Sequence, residues 1–289
     1  MSSWKSIADD LLELSKPRIC LLALVMASLG YVLGLPGEFR LLPYAGMLIG
    51  TALVGVSCGS LNMYSEREID GKMWRTMNRP LPAGRVPANW ALVIGLVSGF
   101  LGEFILLTTT NSVTAVLGAI TIMFYVVIYT PSKQVSSMST LIGAIPGAMP
   151  PLMGSTAAAG MLTSEGFLLF MILFIWQIPH FLAIAWIYKE DYARGGFPIL
   201  SVIDEQGPYV AKQVILYTMV LLPLTLLPTL WHVAGETYFF GALFLGVVFL
   251  IMGVKWAVSL EKESAKALFL YSVVYLPVLS VLMIWDRTL

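Results

Sequence analysis

The segment at residues 41–80 reads "LLPYAGMLIGTALVGVSCGSLNMYSEREIDGKMWRTMNRP". Its first half, 41–62, is an apolar run of the length a helix needs to cross a bilayer, about 20 residues. Its second half reverses character. Glu66, Arg67, Glu68 and Asp70 come within five positions, and Lys72, Arg75 and Arg79 follow. Apolar helix running into dense charge is the signature of a chain that leaves the membrane at that point.

Working outward, the apolar half recurs along the chain. Of 289 residues, 58% are hydrophobic and 12% charged, and the mean hydropathy is +0.83. A soluble domain carries roughly 25% charged residues, so most of this chain is built for lipid. Polar punctuation divides it into spans near 18–36, 41–62, 88–107, 112–130, 138–159, 166–187, 211–231, 238–256 and 268–286. The expected architecture is an all-α polytopic membrane protein, a bundle of about nine transmembrane helices forming one domain over 1–289. The two longest links, 63–87 and 188–210, follow spans two and six, a spacing that suggests two four-helix halves plus a final helix.

Sidedness follows from the 17 Lys and Arg. With a cytoplasmic N-terminus, only Arg40 and Arg287 fall at outer ends, a strong positive-inside bias. Both long links are then cytoplasmic. The N-terminal stretch has neither signal-peptide nor transit-peptide layout, which favours a bacterial inner membrane with the first span retained. Cys20 and Cys58 lie inside apolar runs, so neither a disulfide framework nor a cysteine metal site is expected. Net charge is zero, and no nucleic-acid partner is expected.

Asn62, Glu66 and Asp70 stand four apart, so a continuing helix places them on one face. Two carboxylates and an amide make an oxygen-rich stripe of the kind that binds Mg²⁺ together with water and substrate phosphates. Lys72, Arg75 and Arg79 follow, and Arg matches phosphate geometry. Acids for a metal followed by bases for a phosphate describe a metal–diphosphate site. A solvated loop whose bases merely obey the positive-inside rule has the same spacing. A second acid cluster, Glu190, Asp191, Asp204 and Glu205, lies on the same side. In span six, "FIWQIPHFLAIAWIYKEDY" puts Gln177 and His180 within the hydrocarbon, where an ionisable residue suggests function. A histidine bonded between helices is the alternative. Span five, "STLIGAIPGAMPPLMGSTAAAG", has the small residues of a close-packing helix that lines an interior. His232 and Glu103 read as interfacial.

At these residues the chain resembles the intramembrane prenyltransferases of the UbiA type and, among them, the protoheme IX farnesyltransferases. The superfamily's first motif is matched by Asn62, Glu66 and Asp70. The heme branch is matched by Lys16-Pro17-Arg18, by the run from Lys72 to Pro80, and by Tyr129, Thr130 and Lys133. "GAIPGAMPPLMG", "WQIPHFLAIAW" and "EDYARGGFPIL" complete the likeness, in order from residue 16 to about 217. Glu66 stands where the pattern more often has Asp. Only Asp191 stands for the superfamily's second acid pair, with Ile187 and Gly195 four residues to either side.

The resemblance implies farnesyl diphosphate as donor, heme B as acceptor and Mg²⁺ as cofactor. It assigns Asn62, Glu66, Asp70 and Asp191 to metal and catalysis. Arg75, Arg79 and Lys133, with Lys189 and Arg194, are assigned to the diphosphate, and Gln177 and His180 to the heme. Membrane lipid and a downstream heme-modifying or terminal oxidase assembly protein are the other expected partners. A quinone-precursor prenyltransferase and a multi-helix transporter are the competing readings.

Overall fold

The computed structural model describes residues 4–288. Among them there is no strand, only an isolated bridge between Ala234 and Arg287. The helices are α1 (Trp4–Leu14), α2 (Pro17–Leu33), α3 (Leu41–Asp70), α4 (Ala88–Thr109), α5 (Ser112–Met123), α6 (Thr130–Ser132) and α7 (Ser139–Ala159). They continue with α8 (Ser164–Ile187), α9 (Lys189–Arg194), α10 (Leu200–Ile203), α11 (Pro208–Leu230), α12 (Glu236–Ser259) and α13 (Lys262–Trp285). A π-helical segment, Phe124–Tyr129, joins α5 to α6.

Each apolar span read from the sequence coincides with a helix. Seven helical stretches are long and apolar enough to cross a membrane, namely α3, α4, the run Ser112–Ser132, α8, α11, α12 and α13. α2 has 17 residues, and α7 is not among the seven. Among the described residues, length and apolarity by themselves establish seven crossings, and the expected count of about nine adds α2 and α7. α7 falls short because Gly, Ala and Pro replace the larger aliphatics.

α8 is the hub: 61% of its apolar window is buried, against 28–39% for the other six. It packs against α2, α7, α11 and α13. α7 is buried from Ala148 to Ala158 and lies so close to α2 that Gly30 and Gly154 face the carbonyls of Pro151 and Ala27. Its small residues thus serve backbone-to-backbone packing.

One end of the bundle carries the long links. There the link after α3 folds onto the α9–α10 segment, and Met73 is buried with Ala185, Phe197 and Ile199. The opposite end is closed by polar caps. Arg40 donates to Ala158 O at 2.9 Å and Asn111 Nδ2 to Thr156 O at 2.8 Å, while Asp286 accepts from the Tyr238 amide at 2.7 Å. Arg40, an exception to the charge bias, neutralises the C-terminal carbonyls of α7.

Candidate active site

α3 runs for 30 residues, nearly three turns beyond the roughly 20 residues a membrane core requires. That extension carries Asn62, Glu66 and Asp70 on one face, and the face points inward: they are 1%, 3% and 1% exposed. This decides between the two readings of the stripe, because a solvated loop does not bury two carboxylates. Buried carboxylates require partners, and each has one. Lys133 pairs with Glu66, and Arg79 Nη1 donates to Asp70 Oδ2 at 2.7 Å. Asn62 Oδ1 accepts from Lys16 Nζ at 2.7 Å, and its Nδ2 donates to Thr130 Oγ1 at 3.2 Å.

The cations differ in their electrostatics. Burial pushes the Lys16 ammonium down to about 7, assisted by the nearby Lys133 and Arg79 charges. Burial also lowers Lys133, but Tyr129 and the Glu66 carboxylate outweigh it and the net shift is upward. The contrast is chemical: Lys133 meets a carboxylate, Lys16 an amide oxygen.

The π-helical segment positions the rest of the wall. It brings Tyr125 and Tyr129 together with ring centroids 5.2 Å apart. Lys133 Nζ lies 4.7 Å from the Tyr129 centroid and Lys16 Nζ 5.9 Å from that of Tyr125. Wide turns of this type recur at functional sites. Lys16 was legible in the sequence only as part of Lys16-Pro17-Arg18, and Tyr125 had no signal. Lys16 reaches the site because its backbone is left-handed (φ 49°) just before α2, and it lies 46 residues from Asn62 in the chain.

Asp191 is buried but differently engaged. Oδ1 accepts from the Trp74 amide at 2.9 Å and Oδ2 from the Arg75 amide at 3.1 Å. It pins the first long link to the second. Among the described residues no three acidic, histidine or cysteine side chains converge as a metal cluster, and both Asp191 oxygens are engaged by backbone amides. The other acids of its cluster are elsewhere. Asp204 caps α11 through the Tyr209 and Val210 amides, Glu190 pairs with Lys262 in solvent, and Glu205 gives its carbonyl to Lys189 at 2.6 Å.

The remaining bases divide accordingly. Arg75 is exposed at the rim, 5.3 Å from the Tyr188 centroid and 5.7 Å from that of Tyr192. Arg194 stacks on Trp74 at 3.7 Å. Lys189 turns away, toward Trp186 and Glu205. Gln177 and His180 are not brought together. Gln177 Nε2 donates to Leu173 O at 3.0 Å and faces α7, whereas His180 Nδ1 lies 2.7 Å from Ser272 Oγ on α13. Glu103 is partly buried, with its Oε1 turned toward Gly118 of α5.

The donor set fits Mg²⁺. Asn62, Glu66 and Asp70 offer hard oxygens, and Asp70 Oδ1 is buried with no hydrogen-bond partner among the described residues. One or two carboxylates plus water and phosphate suffice for this ion. The arrangement can therefore gather a metal-bound phosphate between two carboxylates and three cations.

The chain is similar to known proteins in both sequence and fold. The sequence pattern of the UbiA prenyltransferase family matches residues 23–275. The protoheme IX farnesyltransferase of Solibacter usitatus is 44% identical, over 96% of this chain and 98% of that protein. The one from Myxococcus xanthus is 40% identical, over 99% and 97%. A digeranylgeranylglyceryl phosphate synthase superposes with a TM-score of 0.79 at 18% identity, over 96% of this chain and 98% of that one. An Archaeoglobus fulgidus UbiA homologue bound to DMAPP and Mg²⁺ gives 0.68 at 13%, over 96% and 99%. Its likeness speaks to the fold. The chain belongs to the UbiA prenyltransferase family and, by its full-length relatives, to the protoheme IX farnesyltransferase branch of that family.

Proposed function

We propose that this protein transfers a farnesyl group from farnesyl diphosphate to a vinyl group of protoheme IX, giving heme O. The observation that carries the reading is the buried Asn62–Glu66–Asp70 face with Lys16, Arg79 and Lys133 set against it. The name shared by its full-length relatives supports heme as acceptor over a quinone precursor, and family membership weighs against a transporter.

In this reading Asn62, Glu66 and Asp70 hold Mg²⁺, which when bound supplies positive charge to the diphosphate oxygens. Lys16, Arg79 and Lys133 bind the same diphosphate, and Arg75 and Arg194 receive it at the rim. As the allylic C1–O bond breaks, its electron pair leaves with the diphosphate, and these fixed cations stabilise the growing negative charge. The vinyl carbon forms the new bond to C1. Water adds at the neighbouring carbon and loses a proton, completing the hydroxyethylfarnesyl group. The apolar bundle shields the allylic cation from bulk water. Asp191 acts here as a positioning residue that fixes the Trp74–Arg75 turn.

The chain is one domain over 1–289, with this site at the cytoplasmic face of a bacterial inner membrane. Its product passes to a heme-modifying or terminal oxidase assembly protein. The test is to incubate purified protein in lipid with heme B, farnesyl diphosphate and Mg²⁺. A porphyrin heavier by one farnesyl group and one hydroxyl group is expected. Unmodified heme beside an active control enzyme, or prenylation of an aromatic acid instead, would overturn the assignment.

A further inference from the structure

His180 lies inside the apolar α8, seven residues before its end (187 − 180), about 10 Å in from the end that carries the acids. A histidine at such depth is costly unless it is satisfied or used. Ser272 Oγ is 2.7 Å from His180 Nδ1 and 2.6 Å from Phe269 O. The carbonyl has no proton to give and makes the shorter of the two contacts, so the hydroxyl hydrogen of Ser272 is assigned to Phe269 O. Toward His180 the serine then presents a lone pair, and the proton of that contact is assigned to Nδ1. A neutral imidazole protonated at Nδ1 has a free lone pair on Nε2. Nε2 makes no hydrogen bond among the described residues, so the ring joins α8 to α13 with one nitrogen and leaves the other as a base.

The ring is also fixed in orientation. Trp176 stacks on it at 4.8 Å and 23°, Phe269 lies at 5.1 Å and Phe181 at 5.2 Å. Trp176 Nε1 donates to Ser272 O at 3.1 Å, locking the serine that sets the tautomer. A half-buried imidazole with Nδ1–H anchored to a fixed acceptor, Nε2 unpaired and aromatic walls around it has the outer-shell arrangement of a metal-ligating histidine. Imidazole is a standard axial ligand of porphyrin iron. Gln177, three residues earlier, cannot share this role because its amide is spent on α7 and α8 carbonyls.

We propose that His180 binds the iron of the porphyrin acceptor through Nε2, in the tautomer that Ser272 imposes. This rests on the heme-acceptor reading above. It makes the acceptor site selective for a metalloporphyrin over the iron-free ring, and it assigns Ser272 and Trp176 as positioning residues for the ligand.

The experiment reads coordination, not transfer. Full-length protein in lipid nanodiscs is titrated with ferric heme B and separately with iron-free protoporphyrin IX, following absorption and electron paramagnetic resonance. The wild type should give a histidine-ligated iron spectrum. His180→Ala and His180→Asn should lose that spectrum and bind heme about 10–100-fold more weakly, while affinity for the iron-free ring stays unchanged. Imidazole added to His180→Gly should restore the ligated spectrum, and Ser272→Ala should weaken iron binding without abolishing it. A wild type with no histidine ligation overturns the proposal. So does an unchanged spectrum in His180→Ala, or an equal loss of heme and iron-free ring, which would mark a packing role. Failed farnesyl transfer by a wild type that shows the ligated spectrum would instead count against the proposed reaction alone.

Discussion

Glu66 and Asp70 are carboxylates almost without contact with water, and each is held by one cation on a different element. Removing one charge of such a pair strands the other, and the loss should appear in chemistry before folding, because the helix itself is long and apolar. Asp70→Asn and Glu66→Gln are expected to cut turnover by about 100-fold or more, with helical content and thermal unfolding in detergent near those of the parent. Turnover within a few-fold of the parent would remove both residues from the catalytic set. Asn62, Glu66, Asp70 and Arg79 were legible in the sequence because they share one helix and the link that follows it. Lys16 and Thr130 were not legible as site residues, because nothing local to them says that α2 and the π-helical segment converge on the end of α3.

At the scale of elements, Asp191 and α7 show how one side chain or one missing side chain sets geometry. Asp191→Ala leaves the Trp74 and Arg75 amides without their acceptor, at a cost of about 1–3 kcal/mol. Hydrogen exchange over residues 72–76 should accelerate and the KM for farnesyl diphosphate should rise, while Asp191→Asn, which keeps one acceptor oxygen, is milder. If exchange is unchanged and Mg²⁺ affinity alone collapses, Asp191 is a metal ligand and not a brace. Gly154 in α7 lies against the Ala27 carbonyl of α2, so a β-branched side chain there forces the two backbones apart. Gly154→Val should lose about 3 kcal/mol or more in detergent unfolding. Gly37→Ala, with open space around its Cβ position, should be neutral. Equal stability of the two variants would show that α2 and α7 do not need their close approach.

For the whole molecule, the order of helices places both long links at one end and the polar caps at the other. Exposed Glu68 lies at the first end and exposed Glu236 at the second. A Glu68→Cys variant should be labelled by a membrane-impermeant maleimide only in inverted vesicles, and Glu236→Cys only in intact right-side-out cells. The opposite pattern would reverse the sidedness and move the site to the outer face. The charge bias already forecasts this result, since a lysine or arginine is costly to carry across the membrane wherever it stands in a short link.

The apolar helices, the end of the bundle at which charge gathers and the α3 face that carries the acids are all written in local sequence. Each is a property of neighbouring residues: hydropathy over a span, periodicity of four on a helix, and composition of a link. Packing of distant segments is what buries the acids, brings Lys16 and Lys133 to the site and turns both Asp191 oxygens onto backbone amides. It also separates Gln177 from His180 and sets His180 Nδ1 against Ser272, 92 residues away. Those facts depend on which helices meet, and in a bilayer apolar faces pack against lipid nearly as well as against one another. The choice therefore falls to small residues and buried polar pairs, whose partners no local stretch of sequence reveals.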